Sequence, residues 1–169
     1  MGLCTDEFAD GGGWPHQLYV RDGRRMIGEH VLTEHDILDR RPQGDVVALG
    51  SYNIDIREIE RTWRYLPEYQ PTPAVFNEGY LSVAVSPYPI PYRSLTPRRE
   101  DAKDLVVPLC LSASHVAFGS VRMEPTLMLL GHAAGLAAAQ AARRGVAVQD
   151  VDVDALQRDL RDGGQVLAL

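Results

Sequence analysis

Two cysteines in 169 residues, Cys4 and Cys110, are too few for a disulfide framework, and their spacing matches no zinc pattern. The pair excludes a stapled secreted scaffold and points to a reducing cytoplasm, with Cys110 expected as a small buried hydrophobe inside Val106-Val107-Pro108-Leu109-Cys110-Leu111. His16, His30 and His35 have no ligand spacing to one another or to cysteine, so no metal site is expected. There is no basic excess: the net charge is −6 and the pI about 5.3. The arginine pairs 24–25, 40–41, 98–99 and 143–144 mostly have acidic neighbours, which argues against a nucleic-acid groove.

The first residues, Met1-Gly2-Leu3-Cys4-Thr5-Asp6-Glu7, carry neither the basic nor the apolar region of a signal peptide. Residues 125–142 lack formal charge, but Ala and Gly dominate them and His132 interrupts them. They are read as a buried helix rather than a membrane span. No G-x-S-x-G elbow occurs, and Ser112-Ala113-Ser114-His115 is no nucleophile motif, so hydrolase chemistry has little support. Internal repeats are absent.

What is present fits one globular chain: 45% hydrophobic and 24% charged residues, enough to bury a core. Residues 1–17 read as irregular around Gly11-Gly12-Gly13 and Trp14-Pro15. One or two strands are expected between Leu18 and Thr33, then a short helix to Arg40 with Thr33 as N-cap and Asp36 at N3. Val46–Asn53 reads as a strand with a polar far end, where Tyr52, Asn53 and Asp55 are candidates for a pocket mouth. Arg57–Tyr65 reads as a short helix or turn carrying Trp63, and a proline-punctuated connection follows. Tyr80–Val85 reads as a strand. Pro87, Pro89 and Pro91 then suggest an extended, largely unpaired edge. On it, Tyr88, Tyr92 and Arg93 present two rings and a guanidinium, with Tyr92 and Arg93 the candidate substrate-binding pair. The alternative is an edge whose tyrosines pack on the core.

Leu105–Leu111, continuous and partly β-branched, is expected as the clearest buried strand. It feeds a polar loop, Ser112–Glu124, and then a helix opened by Pro125 and closed by Gly145. The start of that helix offers unpaired N–H groups and a positive dipole end, suited to an anion or an electron-rich ring. Gly131 and Gly135 would let a cofactor or another backbone approach. A last helix is expected after Asp152 or Asp154, with Leu156 and Leu160 inward and Gly163-Gly164 as its stop. His115 and Arg122 share the loop and are the candidate catalytic pair. A histidine can move a proton near neutral pH, and an arginine offers a fixed fork of donors. The bland alternatives are a backbone-bonded His115 and an Arg122 paired with Glu124 or Asp101. His132, inside the helix, is read as a packing residue.

Gly119-Ser120-Val121-Arg122-Met123-Glu124-Pro125 followed by Leu130-Gly131-His132-Ala133-Ala134-Gly135-Leu136-Ala137-Ala138-Ala139 resembles the C-terminal signature of FAD-dependent oxidoreductases of the fumarate-reductase-like superfamily. Leu18-Tyr19-Val20-Arg21 with Arg24-Arg25, and Pro91-Tyr92-Arg93-Ser94-Leu95-Thr96-Pro97, resemble the same family. The resemblance implies FAD as cofactor, with the loop meeting the flavin's pyrimidine edge through Ser114, Gly119, Ser120, Arg122, Met123, Glu124 and Gly131. It implies hydride chemistry on a small organic substrate. Such proteins open with a strand, a G-x-G-x-x-G turn and a helix, and no such unit occurs here.

The expectation is therefore an α+β chain. A β-rich substrate-side region, 1–104, is followed by a strand–loop–long helix unit, 105–169, that caps an FAD-binding domain supplied elsewhere. The chain alone is expected to be inactive and to hold FAD weakly or not at all. The competing reading is a non-catalytic module that packs on a partner chain through its Gly-x-x-x-Gly helix.

Overall fold

Val46–Gly50 is apolar enough to be buried on both faces, and it forms the strand (β1) on which the rest is assembled. A computed structural model describes residues 6–17, 22–65, 67–68 and 72–168. Leu18-Tyr19-Val20-Arg21 lies outside them.

β1 pairs antiparallel with β6 (Tyr88–Pro91), Ala48 opposite Ile90 and Gly50 opposite Tyr88, with an irregularity between Val46 and Ala48. This corrects the expectation of an unpaired proline edge. Prolines 87, 89 and 91 fall on alternate residues, so one edge of the strand loses its donors while Tyr88 and Ile90 keep theirs. β2 (Ile54–Ile56) pairs with β5 (Leu81–Val83), and β3 (Glu60–Arg64) with β4 (Ala74–Glu78). First pairs with last, second with fifth and third with fourth. The six strands between Val46 and Pro91 thus nest into one antiparallel ribbon, buried at the β1–β6 pair and exposed at the β3–β4 pair. The β3–β4 pair corrects the expectation of a short helix or turn over Arg57–Tyr65: Trp63 stands opposite Val75, and both are largely exposed.

The expected strands before Thr33 are likewise absent among the described residues. Met26 N–H donates to Cys110 O, Glu29 N–H to Thr96 O, His30 N–H to Arg93 O and Leu32 N–H to Ser112 O. These bonds go to two different segments, so only isolated bridges form, at Gly28 and Leu32. The helix that follows, α1 (Glu34–Leu38), has the anticipated cap, with Asp36 Oδ2 accepting from Thr33 N (2.8 Å) and Oγ1 (2.9 Å).

Residues 105–111 are neither a strand nor buried throughout. Leu105, Leu109 and Cys110 are exposed, and Val107 makes a single backbone bond, to Leu95 O. A β-branched run needs neighbouring strands to become one, and no described strand flanks it. The polar loop is also more ordered than expected, because His115–Val121 forms helix α2.

The long helix α3 (Glu124–Arg144) has Pro125 in its first turn and ends at Gly145, whose φ of 64° is left-handed. Leu130, Ala133, Ala137 and Ala141 face β1 and α4 (Val153–Asp162). Asp152 caps α4 by accepting from Ala155 N–H (3.0 Å), and Leu156 and Leu160 are fully buried. The result is an α+β fold in which one cluster joins Val47, Ile54 and Ile90 of the ribbon to Leu130, Ala137 and Leu156 of the helices. Among the described residues no helix is long and apolar enough to cross a membrane, and no group of three or more His, Cys, Asp or Glu is placed to hold a metal.

Candidate active site

The polar stretch before α3 is fixed from two sides. Ser112 N–H donates to Ser94 O, Ser114 N–H to Leu32 O, and the buried Ser112 Oγ accepts from Gly28 N–H (2.9 Å). Gly28 is required there, because a Cβ would lie 2.5 Å from Thr96 O. With the chain so held, Ser114 caps α2, its Oγ accepting from Ala117 N–H at 3.1 Å.

α2 lies against β2. A methyl at Gly119 would come within 3.1 Å of Ile56 Cγ1 and 3.2 Å of Asp55 O, so the missing side chain serves this close approach. Ser120 is buried, donates to Tyr52 O, and meets the Tyr88 hydroxyl at 2.6 Å. Because the one hydroxyl hydrogen of Ser120 goes to Tyr52 O, the Tyr88 hydroxyl is the donor between them, and burial pushes it up to about 12 against the opposing pull of that bond. Both Gly119 and Ser120 thus anchor the helix that carries the candidate catalytic pair.

His115 begins α2 and Arg122 follows its last turn. Between them and the residues 55–59 opposite lies a cleft of about 500 Å³. Ile56, Ile59 and Phe118 make its apolar wall, and Asp22, Asp55, Arg57, Glu58, His115 and Arg122 its polar rim. His115 Nδ1 lies 2.5 Å from Asp22 Oδ2. Arg122 Nη2 donates to Asp55 Oδ2 (3.1 Å) and more weakly to Asp55 O (3.4 Å). Neither bland alternative is what the structure shows: His115 bonds a carboxylate, and Arg122 pairs with Asp55. Asp22 is itself held by Arg25, whose Nε donates to Ala113 O (3.0 Å) and whose guanidinium lies 5.5 Å from the Phe118 ring centre. Met123 occupies the N-cap position of α3, and Glu124 and Pro125 are exposed, so the positive end of the helix meets open surface.

Tyr92 and Arg93 border a different depression, with Asp45, Glu29, Gln149 and Asp154. Tyr92 is buried and donates to Val148 O (2.8 Å), while burial and the charge of Glu29 raise its hydroxyl above the ordinary range. Arg93 grips Asp45 through its own N–H and Nε (both 3.0 Å) and Nη2 (3.2 Å). Burial pushes the Asp45 carboxyl up, but these bonds and the guanidinium charge together hold it below its ordinary value. Gly131 sits on the outer face of α3, away from the cleft, with nothing within 4 Å of where a methyl would stand. His132, also outward, meets Gln165 Oε1 at 2.9 Å.

The cleft therefore unites His115, Gly119 and Arg122 from one reading of the sequence with Asp55 from another. Asp22 and Ile59 are additions. No local signal marks Asp22, which lies 93 positions from its histidine, and the reading of Arg57–Tyr65 as a short helix or turn singled out Trp63 rather than Ile59.

The chain matches the family model described as FAD dependent oxidoreductase over residues 1–160, and it belongs to that family. FAD is the cofactor this membership implies. Comparison with curated proteins and with solved structures found no match. The residues suit one end of FAD. An apolar wall beside His115 and Arg122 matches a planar ring with polar edges, whereas the only glycine cluster near the start, Gly11–Gly13, precedes Trp14-Pro15 and opens no helix that would cradle a pyrophosphate.

Proposed function

We propose that this chain supplies the substrate side and the flavin-capping residues of an FAD dependent oxidoreductase acting on a small organic substrate. The observation that carries the reading is the cleft at α2, with His115 at one end, Arg122 at the other and the exposed first turn of α3 directly following. FAD, when bound, accepts or donates hydride. The chain's residues orient the substrate against the apolar wall, place the Arg122–Asp55 pair beside the reacting region, and offer His115 for proton movement. Ser114, Gly119 and Ser120 hold the helix, and Met123 and Glu124 open the next one. Tyr92 and Arg93 shape the neighbouring surface around Asp45. The pyrophosphate is held by a dinucleotide-binding unit on another segment or chain. The exposed Cys110 suits a reducing, cytoplasmic setting.

The test is a titration. A helix dipole and one capped loop contribute on the order of 1–2 kcal/mol, against about 8 kcal/mol for micromolar binding. The chain alone should hold FAD more weakly than micromolar. Adding a dinucleotide-binding partner should yield a stable flavin spectrum, and Arg122→Ala should slow flavin reduction in that assembly. Submicromolar binding by the chain alone contradicts the sharing, and an unchanged reduction rate removes Arg122 from the site.

A second reading, an interaction module packing through α3, is favoured by one observation. Gly131 and Gly135 are exposed with nothing near them, beside a Met128 that is 75% exposed.

A further inference from the structure

Hydride transfer to or from a substrate is accompanied by a proton, and the cleft contains one arrangement suited to take it. The contact is the 2.5 Å approach of His115 Nδ1 to Asp22 Oδ2. An ionised carboxylate only accepts, so in the neutral ring the hydrogen sits on Nδ1 and the lone pair on Nε2. Nε2 makes no hydrogen bond among the described residues, and the His115 side chain, 53% exposed, borders the cleft. Asp22 cannot swing away freely, because Arg25 donates to its other oxygen and is tied in turn to Ala113 O and the face of Phe118. The backbone that carries the ring is set by Ser114, which caps the helix His115 begins by accepting from Ala117 N–H.

The charges that face this ring narrow the substrate. Asp22 and Arg25 approach from the segment before α1, Asp55, Arg57 and Glu58 from β2 and the residues after it, and Arg122 from the end of α2. Glu34 lies behind, 3.5 Å from Ser114 Oγ. Arg122 is neutralised by Asp55 and Arg25 by Asp22, while Arg57 stands exposed at the rim without an ion pair among the described residues, where water screens its charge. A carboxylate entering the cleft would meet three carboxylates and no buried cation left to receive it. An uncharged molecule with an apolar flank and a hydroxyl meets Ile56, Ile59 and Phe118 on one side and Nε2 on the other.

We infer that Asp22 and His115 form a proton-accepting pair, Asp22 the positioning residue and His115 Nε2 the acceptor, serving a neutral carbinol substrate. The inference rests on the flavin reading above. In the oxidation, the carbinol C–H bond breaks with its electron pair leaving as hydride to oxidised flavin, the O–H proton goes to Nε2, and the C–O bond becomes a carbonyl. The alcohol is oxidised and the flavin reduced.

The experiment uses the ¹⁵N-labelled full chain without cofactor, followed by long-range ¹H–¹⁵N NMR of the imidazole at mildly alkaline pH. His115 should show the Nδ1-protonated tautomer. Asp22→Ala should shift it toward Nε2 protonation, and Asp22→Glu should restore it. A wild-type ring already protonated on Nε2, or an Asp22→Ala ring unchanged from wild type, overturns the pairing. Benzyl alcohol and benzoate then test the substrate class on the wild-type chain, which needs no variant to fold. Benzyl alcohol should displace the Nε2 resonance to saturation and benzoate should not. Equal or tighter binding of benzoate, or no shift with either, overturns the carbinol assignment. In the FAD-loaded assembly Asp22→Ala should lower kcat about 100-fold with a smaller effect on KM, and Asp22→Glu should recover most of it. Loss of kcat without recovery by Glu contradicts positioning. Failure of the assembly to take up FAD would sink the flavin reading and leave the tautomer result standing.

Discussion

Gly50→Ala tests the joint that holds α2 in place. Gly50 ends β1 opposite Tyr88, and an added methyl would stand 2.4 Å from Tyr88 Cζ and 2.5 Å from its hydroxyl oxygen. Tyr88 is 0% exposed and donates to Ser120, which in turn donates to Tyr52 O, so rotating the ring breaks the link between ribbon and helix. Three effects compete. Ala in a strand gains roughly 0.5–1 kcal/mol over Gly. Overpacking a close-packed site costs about 1–3 kcal/mol. A buried hydroxyl left without its partner costs about another 1–3 kcal/mol.

The last two outweigh the first, for a net loss of about 2–4 kcal/mol, which is a large part of the roughly 5–15 kcal/mol that a domain has. With a urea slope of about 2 kcal/mol per molar, the unfolding midpoint should fall by about 1–2 M. Adding Tyr88→Leu removes the outer ring that the methyl strikes. The double variant should therefore be more stable than the two single losses predict, with a coupling of about 1–2 kcal/mol. A Gly50→Ala midpoint equal to wild type, or a coupling of zero, would refute the close contact and with it this account of what positions His115 and Arg122.

Two further tests concern charge and backbone. The Asp45 carboxyl is held below its ordinary value, so its contribution to stability is fully present above about pH 4, the unfolded value, and is lost as pH falls through the folded one. Thermal melts from pH 3 to 6 should therefore show an acid-side decline that Asp45→Asn flattens while lowering the plateau; an unaltered slope removes Asp45 from that decline. Two glycines with empty surroundings should respond to Ala with opposite signs. Gly145, at φ 64°, should lose about 1 kcal/mol, whereas Gly131 inside α3 should gain up to about 1 kcal/mol. A destabilised Gly131→Ala in the isolated chain would mean its face is covered rather than open.

How legible each element was depends on where its determinants lie. Thr33 with Asp36, Pro125 with Gly145, and Asp152, one of two candidate caps before Leu156 and Leu160, fix helix ends by contacts within a few residues and appear in those roles, although α1 stops at Leu38, short of the expected Arg40. Strand pairing depends on partners far along the chain. The prolines around Tyr88 suggested an edge, yet their spacing of two leaves one side of the strand able to pair with β1, and only the ribbon's nesting reveals it. Glu60–Arg64, within the stretch read as a short helix or turn, became strand because Ala74–Glu78 lies opposite, a fact without trace in its own composition. The cleft follows the same rule. His115 and Arg122 were visible as a polar pair in one short stretch, while the carboxylates that hold them come from 93 and 67 positions away.

Residues 105–111 show the converse. Val106, Val107, Leu109 and Leu111 have a strand's composition, and β propensity expresses the fit of side chains to a half-buried pleated surface rather than a preference of the backbone. Here Leu111 is fully buried, Leu109 is 63% exposed, and the single bond from Val107 to Leu95 O starts no ladder. The segment nevertheless delivers Ser112 to its bonds with Gly28, Ser94 and Leu32, and those bonds set the start of α2. What the site requires of this stretch is its end point, and that is fixed by polar contacts at Ser112 and Ser114 whether or not the apolar residues before them find a sheet.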